Sequence, residues 1–218
     1  MRREFGIFVD YDQTLVDVAS FYLANPDMFL KNFVYSVANF LRYAIKHRNV
    51  EPLKLIYYFL LEEDKRSEEI LERMKRRPNL YVDENLFNLL VKLNKNENYN
   101  VRIVSSSSQK IIKGVLEGLE KRYGRKFSVD IIASSQDSLV TAKTKGEITK
   151  NYNGLKICFM DGPNDVEFSK NCNISIIKPS LIYYLFKEKP RGYKIGRKKL
   201  KEVLELLENK LACRDFHQ

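Results

Sequence analysis

Apolar and polar positions follow two rhythms along this chain. Short β-prone runs recur at "EFGIFV", "VRIVS", "FSVDII", "LKICFM" and "NISII", separated by helix-like or loop segments. Strands alternating with helical patterns predict a mainly parallel sheet covered on both faces, a Rossmann-like α/β fold. In "KIIKGVLEGLEKRYG" the residues Ile111, Ile112, Val115, Leu116 and Leu119 repeat at helical spacing, and Gly124 stands where that helix should stop. A strand-helix-strand unit fits there.

The second rhythm fills the roughly ninety residues between the first two strands, too long for a simple loop. Phe29, Leu30, Phe33, Val34, Val37, Phe40, Leu41, Ala44 and Ile45 keep the i, i+3, i+4 pattern of an amphipathic helix. "LKLIYYFLLEE" is apolar nearly all round, and "SEEILERMKRR" and "ENLFNLLVKL" complete a set of four helices. Pro26, Pro52 and Pro78 punctuate the set, and the polar run "NKNENYN" closes it. The expected organisation is an α/β core of residues 1–16 and 95–218, interrupted by an all-helical subdomain at 17–94.

Composition narrows the class. The 218 residues can bury a full core, and 44% hydrophobic with 30% charged residues is ordinary for a globular protein. The longest greasy stretch, "LKLIYYFLL", falls short of the roughly 18 apolar residues of a membrane span. The start "MRREFGIFVDYD" lacks a secretory pattern, so a cytoplasmic setting is expected. Cys158, Cys172 and Cys213 have no metal-ligand spacing and are expected to be reduced and structural. His47 and His217 are the only histidines, which disfavours a histidine-based triad. The net charge of +10 is concentrated in residues 187–201, where "KEKPRGYKIGRKKLK" holds eight Lys or Arg against one Glu before a C-terminal helix. Such a strip is either a solvated basic face or an attractor of nucleic acid or anionic membrane.

Candidate chemistry lies at the ends of the strands. In a parallel α/β sheet, polar residues just after the strands converge on one crevice. The first strand delivers Asp10 and Asp12, the second runs into Ser105, Ser106, Ser107 and Ser108, and the fourth runs into "DGPND" with Asp161 and Asp165. Each alone reads as a turn or a helix cap. Together, four carboxylates at one edge require a cation, and oxygen ligands without sulfur or imidazole select magnesium.

This ordered set resembles the haloacid dehalogenase (HAD) superfamily of phosphohydrolases, in particular the branch containing phosphoserine phosphatases. Its first motif, Asp-any-Asp-any-Thr after an apolar strand, is matched by Asp10, Asp12 and Thr14 in "FVDYDQT". Ser105 in "RIVSSS" matches the second, Lys145 in "KTKGEI" the third, and "MDGPND" the fourth, with Met160 in place of the usual leading Gly. The resemblance implies a three-layer α/β/α core with a helical cap inserted after the first motif. It also implies that Asp10 is the nucleophile forming an aspartyl-phosphate, and that Asp12 is the general acid and base. Magnesium would be held by Asp10, the Asp12 carbonyl and Asp161. Ser105, Ser106 and Lys145 would bind phosphate, with Lys143 the competing lysine, and Thr14, Asn164 and Asp165 would support the site.

The implied activity is hydrolysis of a phosphate monoester on a phosphorylated small molecule. The presence of Asp12 disfavours the dehalogenases and cation-pumping ATPases of the superfamily, which lack it. Phosphoserine phosphatases carry a Glu nine residues beyond the nucleophile, where this chain has Ala19, with Asp17 the nearest acid. That departure argues against phosphoserine. On the polar face of the first long helix, Tyr35, Asn39, Arg42 and Lys46 are candidates for facing the substrate. Phosphotransfer, a larger nucleic-acid or lipid substrate docked by the basic strip, and a silent binding protein with the same fold stay open as alternatives.

Overall fold

In the computed structural model the described residues are 5–48, 52–76, 81–135, 137–180, 183–184 and 187–194. Residues 195–201 of the basic strip, the expected C-terminal helix, Cys213 and His217 lie outside them.

Six strands form one parallel sheet in the order β3-β2-β1-β4-β5-β6: β1 Phe5–Val9, β2 Tyr99–Ser108, β3 Asp130–Ser134, β4 Leu155–Met160, β5 Ile174–Ile177 and β6 Tyr193–Lys194. All five β-prone runs become strands. The two-residue β6 has no hydrophobic run to announce it. Strand β1 is buried along its whole length, between β2 and β4, as expected of a central parallel strand. Helices α6 (Gln109–Tyr123), α7 (Ala142–Lys150) and α8 (Val166–Lys170) connect the later strands. Helix α6 ends at Gly124, whose φ of +61° is the left-handed conformation that glycine adopts without a Cβ clash.

The insert contains α1 (Val18–Ala24), α2 (Pro26–His47), α3 (Pro52–Lys65) and α4 (Ser67–Arg76), and α5 (Glu84–Asn94) follows it. The chain leaves and re-enters the core at adjacent points, because Val16 and Val82 bridge and the Asp83 N–H donates to the Leu15 carbonyl. Helix α5 buries Leu86, Phe87, Leu89, Leu90 and Leu93 in the main core together with Ile7, Val9 and Ile103 of the sheet.

Helix α2 forms as its periodicity predicts, but only part of its apolar face turns inward. Asn32 and Ser36 are buried, whereas Leu30, Val34, Leu41 and Ile45 are exposed. The inward side mixes the buried Met28 with polar groups that meet charges of α3 and α4's lead-in: Asn32 accepts from Arg66 at 3.0 Å and Asn39 donates to Glu62 at 3.4 Å. Periodicity identifies two faces of a helix but not which one the partner takes.

The cysteines also depart from expectation. Cys158 on β4 and Cys172 just after α8 form a disulfide, with Cα atoms 6.1 Å apart. The chain leaves β4, turns through α8 and returns towards β5, and this brings two cysteines fourteen residues apart in sequence into the same small core as Phe8 and Phe168. No local spacing rule encodes that return.

Candidate active site

The site lies where β1, β2 and β4 end. Asp10 follows β1, and its N–H donates to the Phe159 carbonyl of β4 at 2.9 Å, so the backbone carrying it is an extension of the sheet. A tight turn follows: the N–H groups of Leu15 and Val16 both donate to the Tyr11 carbonyl, and Gln13 takes a φ of +58°. Lys178, just past β5, secures this turn by donating to the Thr14 carbonyl at 3.0 Å and to Asp83 Oδ2 at 2.8 Å. Thr14 is buried with its Oγ1 unpartnered.

Lys145 is the electrostatic centre. Its Nζ donates to Asp10 Oδ1 at 2.6 Å and to Asp165 Oδ1 at 2.8 Å, with all three side chains almost fully buried. A buried cation between two carboxylates replaces the lost water with charge-assisted hydrogen bonds. Burial works against the ammonium, but Asp10 and Asp165 raise its pKa well above the ordinary lysine value. The competing Lys143 is exposed and lies 3.9 Å from Glu147, away from the cluster. The glycine after Lys145 has a packing reason: a Cβ on Gly146 would lie 3.0 Å from Glu167 Cβ and 3.2 Å from its carbonyl oxygen. Only a residue without a side chain lets α7 approach α8 that closely, and this approach brings Lys145 to Asp165.

Asp165 also organises its own turn, accepting from the N–H groups of Asp161 and Gly162 at 3.3 Å each. Asp10, Asp161 and Asp165 each place a carboxylate oxygen within 4.8 Å of the others. This all-oxygen donor set suits a hard divalent cation such as magnesium. Asp165 is already engaged by Lys145 and two backbone amides, so Asp10 and Asp161 are the freer ligands. The crowding is visible in the proton affinities: burial, with repulsion from Asp165, pushes Asp161 up to about 7, and burial opposed by Lys145 holds Asp10 well above the carboxylate range. A divalent ion would relieve this excess of negative charge.

Asp12 points into the same cavity of about 300 Å³, which is lined by Asp10, Asp12, Lys145 and Asp161 below and by Val18, Tyr22, Ile56, Phe59, Leu60 and Glu63 of the insert above. Ser107 donates to Asp12 Oδ2, while Oδ1 has no partner. Burial raises the Asp12 pKa, and the Ser107 hydrogen bond works against that rise.

The second motif is divided among the serines. Ser106, Ser107, Pro163 and Asn164 line the cavity. Ser105 is fully buried, and its Oγ accepts from the Ser107 N–H at 3.0 Å. Ser108 caps α6 and donates to Asp64 of α3. The remaining sequence candidates are placed elsewhere. Asp17 caps α1 by accepting from the Ser20 N–H at 3.0 Å, Ala19 is exposed, and Arg42 and Lys46 lie on the outside of α2. None of these four lines the cavity.

The structure adds Glu63 and Tyr22, which sequence reasoning did not single out as a pair. The Tyr22 hydroxyl donates to Glu63 Oε1, and burial pushes the Glu63 pKa up to about 8, with Asp12 and Asp64 adding to the rise. The available signal was the acid run "EED" ending an apolar helix. The folded state therefore binds more protons than the unfolded chain between 3.8 and about 7 at Asp161 and between 4.5 and about 8 at Glu63. More protons bound in the folded state means that stability falls as pH rises. Thermal unfolding in chelator is expected to show a melting temperature that declines across that interval, and Glu63→Gln should flatten its upper part. A melting temperature that climbs over the same interval would contradict these proton affinities.

Comparison with known proteins gives the fold a class. No family model matches the sequence, and no curated protein matches it. Among solved structures, a probable phosphoserine phosphatase from Vibrio cholerae superposes with a TM-score of 0.58 at 14% identity, covering 99% of this chain and 68% of that one. A haloacid dehalogenase-like hydrolase from Streptococcus pneumoniae gives 0.53 at 14% identity, covering 93% and 97%. A phosphoserine phosphatase determined as a phospho-aspartyl intermediate analogue gives 0.52 at 18% identity, covering 94% and 99%. The chain has the fold of the HAD-superfamily phosphatases, a Rossmann-like α/β core.

Proposed function

We propose that this chain is a magnesium-dependent phosphohydrolase acting on a phosphate monoester through an aspartyl-phosphate at Asp10. The observation that carries the reading is the Asp10–Lys145–Asp165 ion-pair chain at the end of the central strand, with the unpartnered Asp12 oxygen in the same cavity. A carboxylate held by a buried ammonium is fixed in position for in-line attack, and the ammonium is already placed where charge gathers on the phosphoryl oxygens.

In this reading an Asp10 oxygen bonds to phosphorus as the bond to the ester oxygen breaks, and Asp12 passes its proton to the departing alkoxide. Asp12 then takes a proton from water as that water attacks the aspartyl-phosphate, which releases inorganic phosphate and restores Asp10. The raised pKa of Asp12 suits the first half, because a carboxyl must still hold a proton to give one. Lys145, with Ser106 and the amides that follow β2, would bind the phosphoryl oxygens, and Asp165 would keep Lys145 aimed. Asp10, Asp161 and the Asp12 carbonyl would hold the magnesium ion. When bound, the ion neutralises the carboxylates and the incoming phosphate. The Glu63–Tyr22 pair lines the cavity from the insert, where it would face the leaving group.

Turnover of p-nitrophenyl phosphate is expected with magnesium and is expected to vanish in chelator, returning when magnesium is restored. A folded enzyme that hydrolyses no generic ester at any magnesium level would overturn the reading.

A further inference from the structure

Helix α2 leaves an apolar surface that the described residues do not cover. Leu30, Val34, Leu41 and Ile45 are 60%, 53%, 52% and 78% exposed, and their spacing of four, seven and four residues puts them on one stripe of the 22-residue helix. A basic row, Lys31, Arg42 and Lys46, runs along one flank of this stripe. At the far end of the α2–α3 hairpin, Lys54 lies 5.4 Å from the ring centres of both Tyr43 and Tyr57. Apolar side chains flanked by lysine, arginine and tyrosine are the chemistry of a helix lying in a membrane interface, where basic heads reach lipid phosphates and rings sit at headgroup level.

Charge complementarity selects among the occupants. The exposed charges beside the stripe are Lys31, Arg42 and Lys46, while Asp27 at the start of the helix is paired with Arg73, so an anionic surface attracts this face, whereas a second copy brings the same basic flank against itself. A nucleic acid has no use for the leucine and isoleucine stripe. The inner side of the same hairpin supplies the second observation: Ile56, Phe59 and Leu60 of α3 form an apolar wall of the catalytic cavity, and Ile56 is itself half exposed at the mouth. The hairpin thus presents apolar residues on both sides, the outer stripe on α2 and the inner wall on α3, where Ile56, Phe59 and Leu60 stand beside the Tyr22–Glu63 pair.

We infer that the outer face of the α2–α3 hairpin docks on an anionic lipid surface, and that the apolar wall on its inner side takes a phosphate monoester with an apolar leaving group drawn from that surface. The docking half stands alone, and the substrate half rests on the phosphohydrolase reading. Hydrolysis would follow the same balance as above, with the lipid alcohol leaving with the proton from Asp12.

The test uses the full chain and sedimented vesicles of phosphatidylcholine alone or of equimolar phosphatidylcholine and phosphatidylglycerol. Binding to the anionic vesicles is expected to weaken at least about tenfold in Leu41→Asp/Ile45→Asp, and by about tenfold in Arg42→Glu/Lys46→Glu. All four side chains are exposed, so p-nitrophenyl phosphate turnover and melting temperature should not change. A chain that ignores anionic vesicles would overturn the docking, as would one whose stripe proves by light scattering to be a dimer contact broken by Leu41→Asp/Ile45→Asp. Magnesium-dependent phosphate release from phosphatidic acid in the same vesicles supports the substrate half. Its absence in a preparation that binds vesicles and hydrolyses p-nitrophenyl phosphate overturns that half. Binding without hydrolysis of either ester counts against the phosphohydrolase reading and leaves the docking supported.

Discussion

Asp10→Asn is expected to abolish turnover, by on the order of 10⁴-fold or more, while leaving the protein folded. The amide fills the same space and can still accept from Lys145, but it cannot form an acyl phosphate under attack by its own oxygen. Stability should be unchanged or higher in metal-free protein, because one of several mutually repelling carboxylates has gone while Lys145 keeps Asp165 at 2.8 Å. Phosphate release and thermal unfolding measured on one preparation check both halves. Turnover near the parent's level in the variant would remove Asp10 from the role of nucleophile.

Lys145→Met should have the largest effect on stability. The methionine fills the volume, but Asp10 and Asp165 lose their buried cation, and Asp161 remains close by. Leaving a buried charge without its partner costs about 3–5 kcal/mol. The deficit should shrink as pH falls, because each carboxylate that takes up a proton no longer repels the rest, and it should shrink again when magnesium is added. Urea unfolding across pH, with and without magnesium, reads all three effects. A variant as stable as its parent in alkaline chelator would show that Lys145 is not the counterion of this cluster. Turnover is expected to fall by about 10³-fold as well, since a preorganised charge at the phosphoryl oxygens is lost.

These two substitutions act on residues that the sequence already exposes to view. Asp10 and Lys145 are 135 residues apart; Asp10 is legible because it directly follows an apolar strand, whereas Lys145, inside the polar helix "AKTKGEITK", is legible through the resemblance of "KTKGEI" to the third motif. The division of labour among neighbours is less legible. Ser105, Ser106, Ser107 and Ser108 are identical in the sequence, and only the end of β2 and the start of α6 assign one to the buried backbone, two to the cavity and one to a helix cap. Asp17 illustrates the limit from the other side: its position near the site made it a specificity candidate, and a local hydrogen bond to Ser20 made it a cap. Local hydrogen bonding competes with function for every short polar side chain near a helix start.

The sequence by itself determined the parallel sheet, the placement of the clustered acids at its carboxyl edge and the existence of a long helical insert. These follow from periodicities of two and 3.6 residues and from the rule that polar residues after parallel strands converge. The tertiary structure alone decided which face of α2 turns inward, that Glu63 and Tyr22 meet above Asp12, and that Cys158 finds Cys172. Each of these depends on which surfaces meet, through pairwise contacts between elements whose separate patterns are compatible with more than one arrangement. The apolar outer stripe of α2 shows the difference: the sequence announces the stripe, and only the fold reveals that the interior does not receive it.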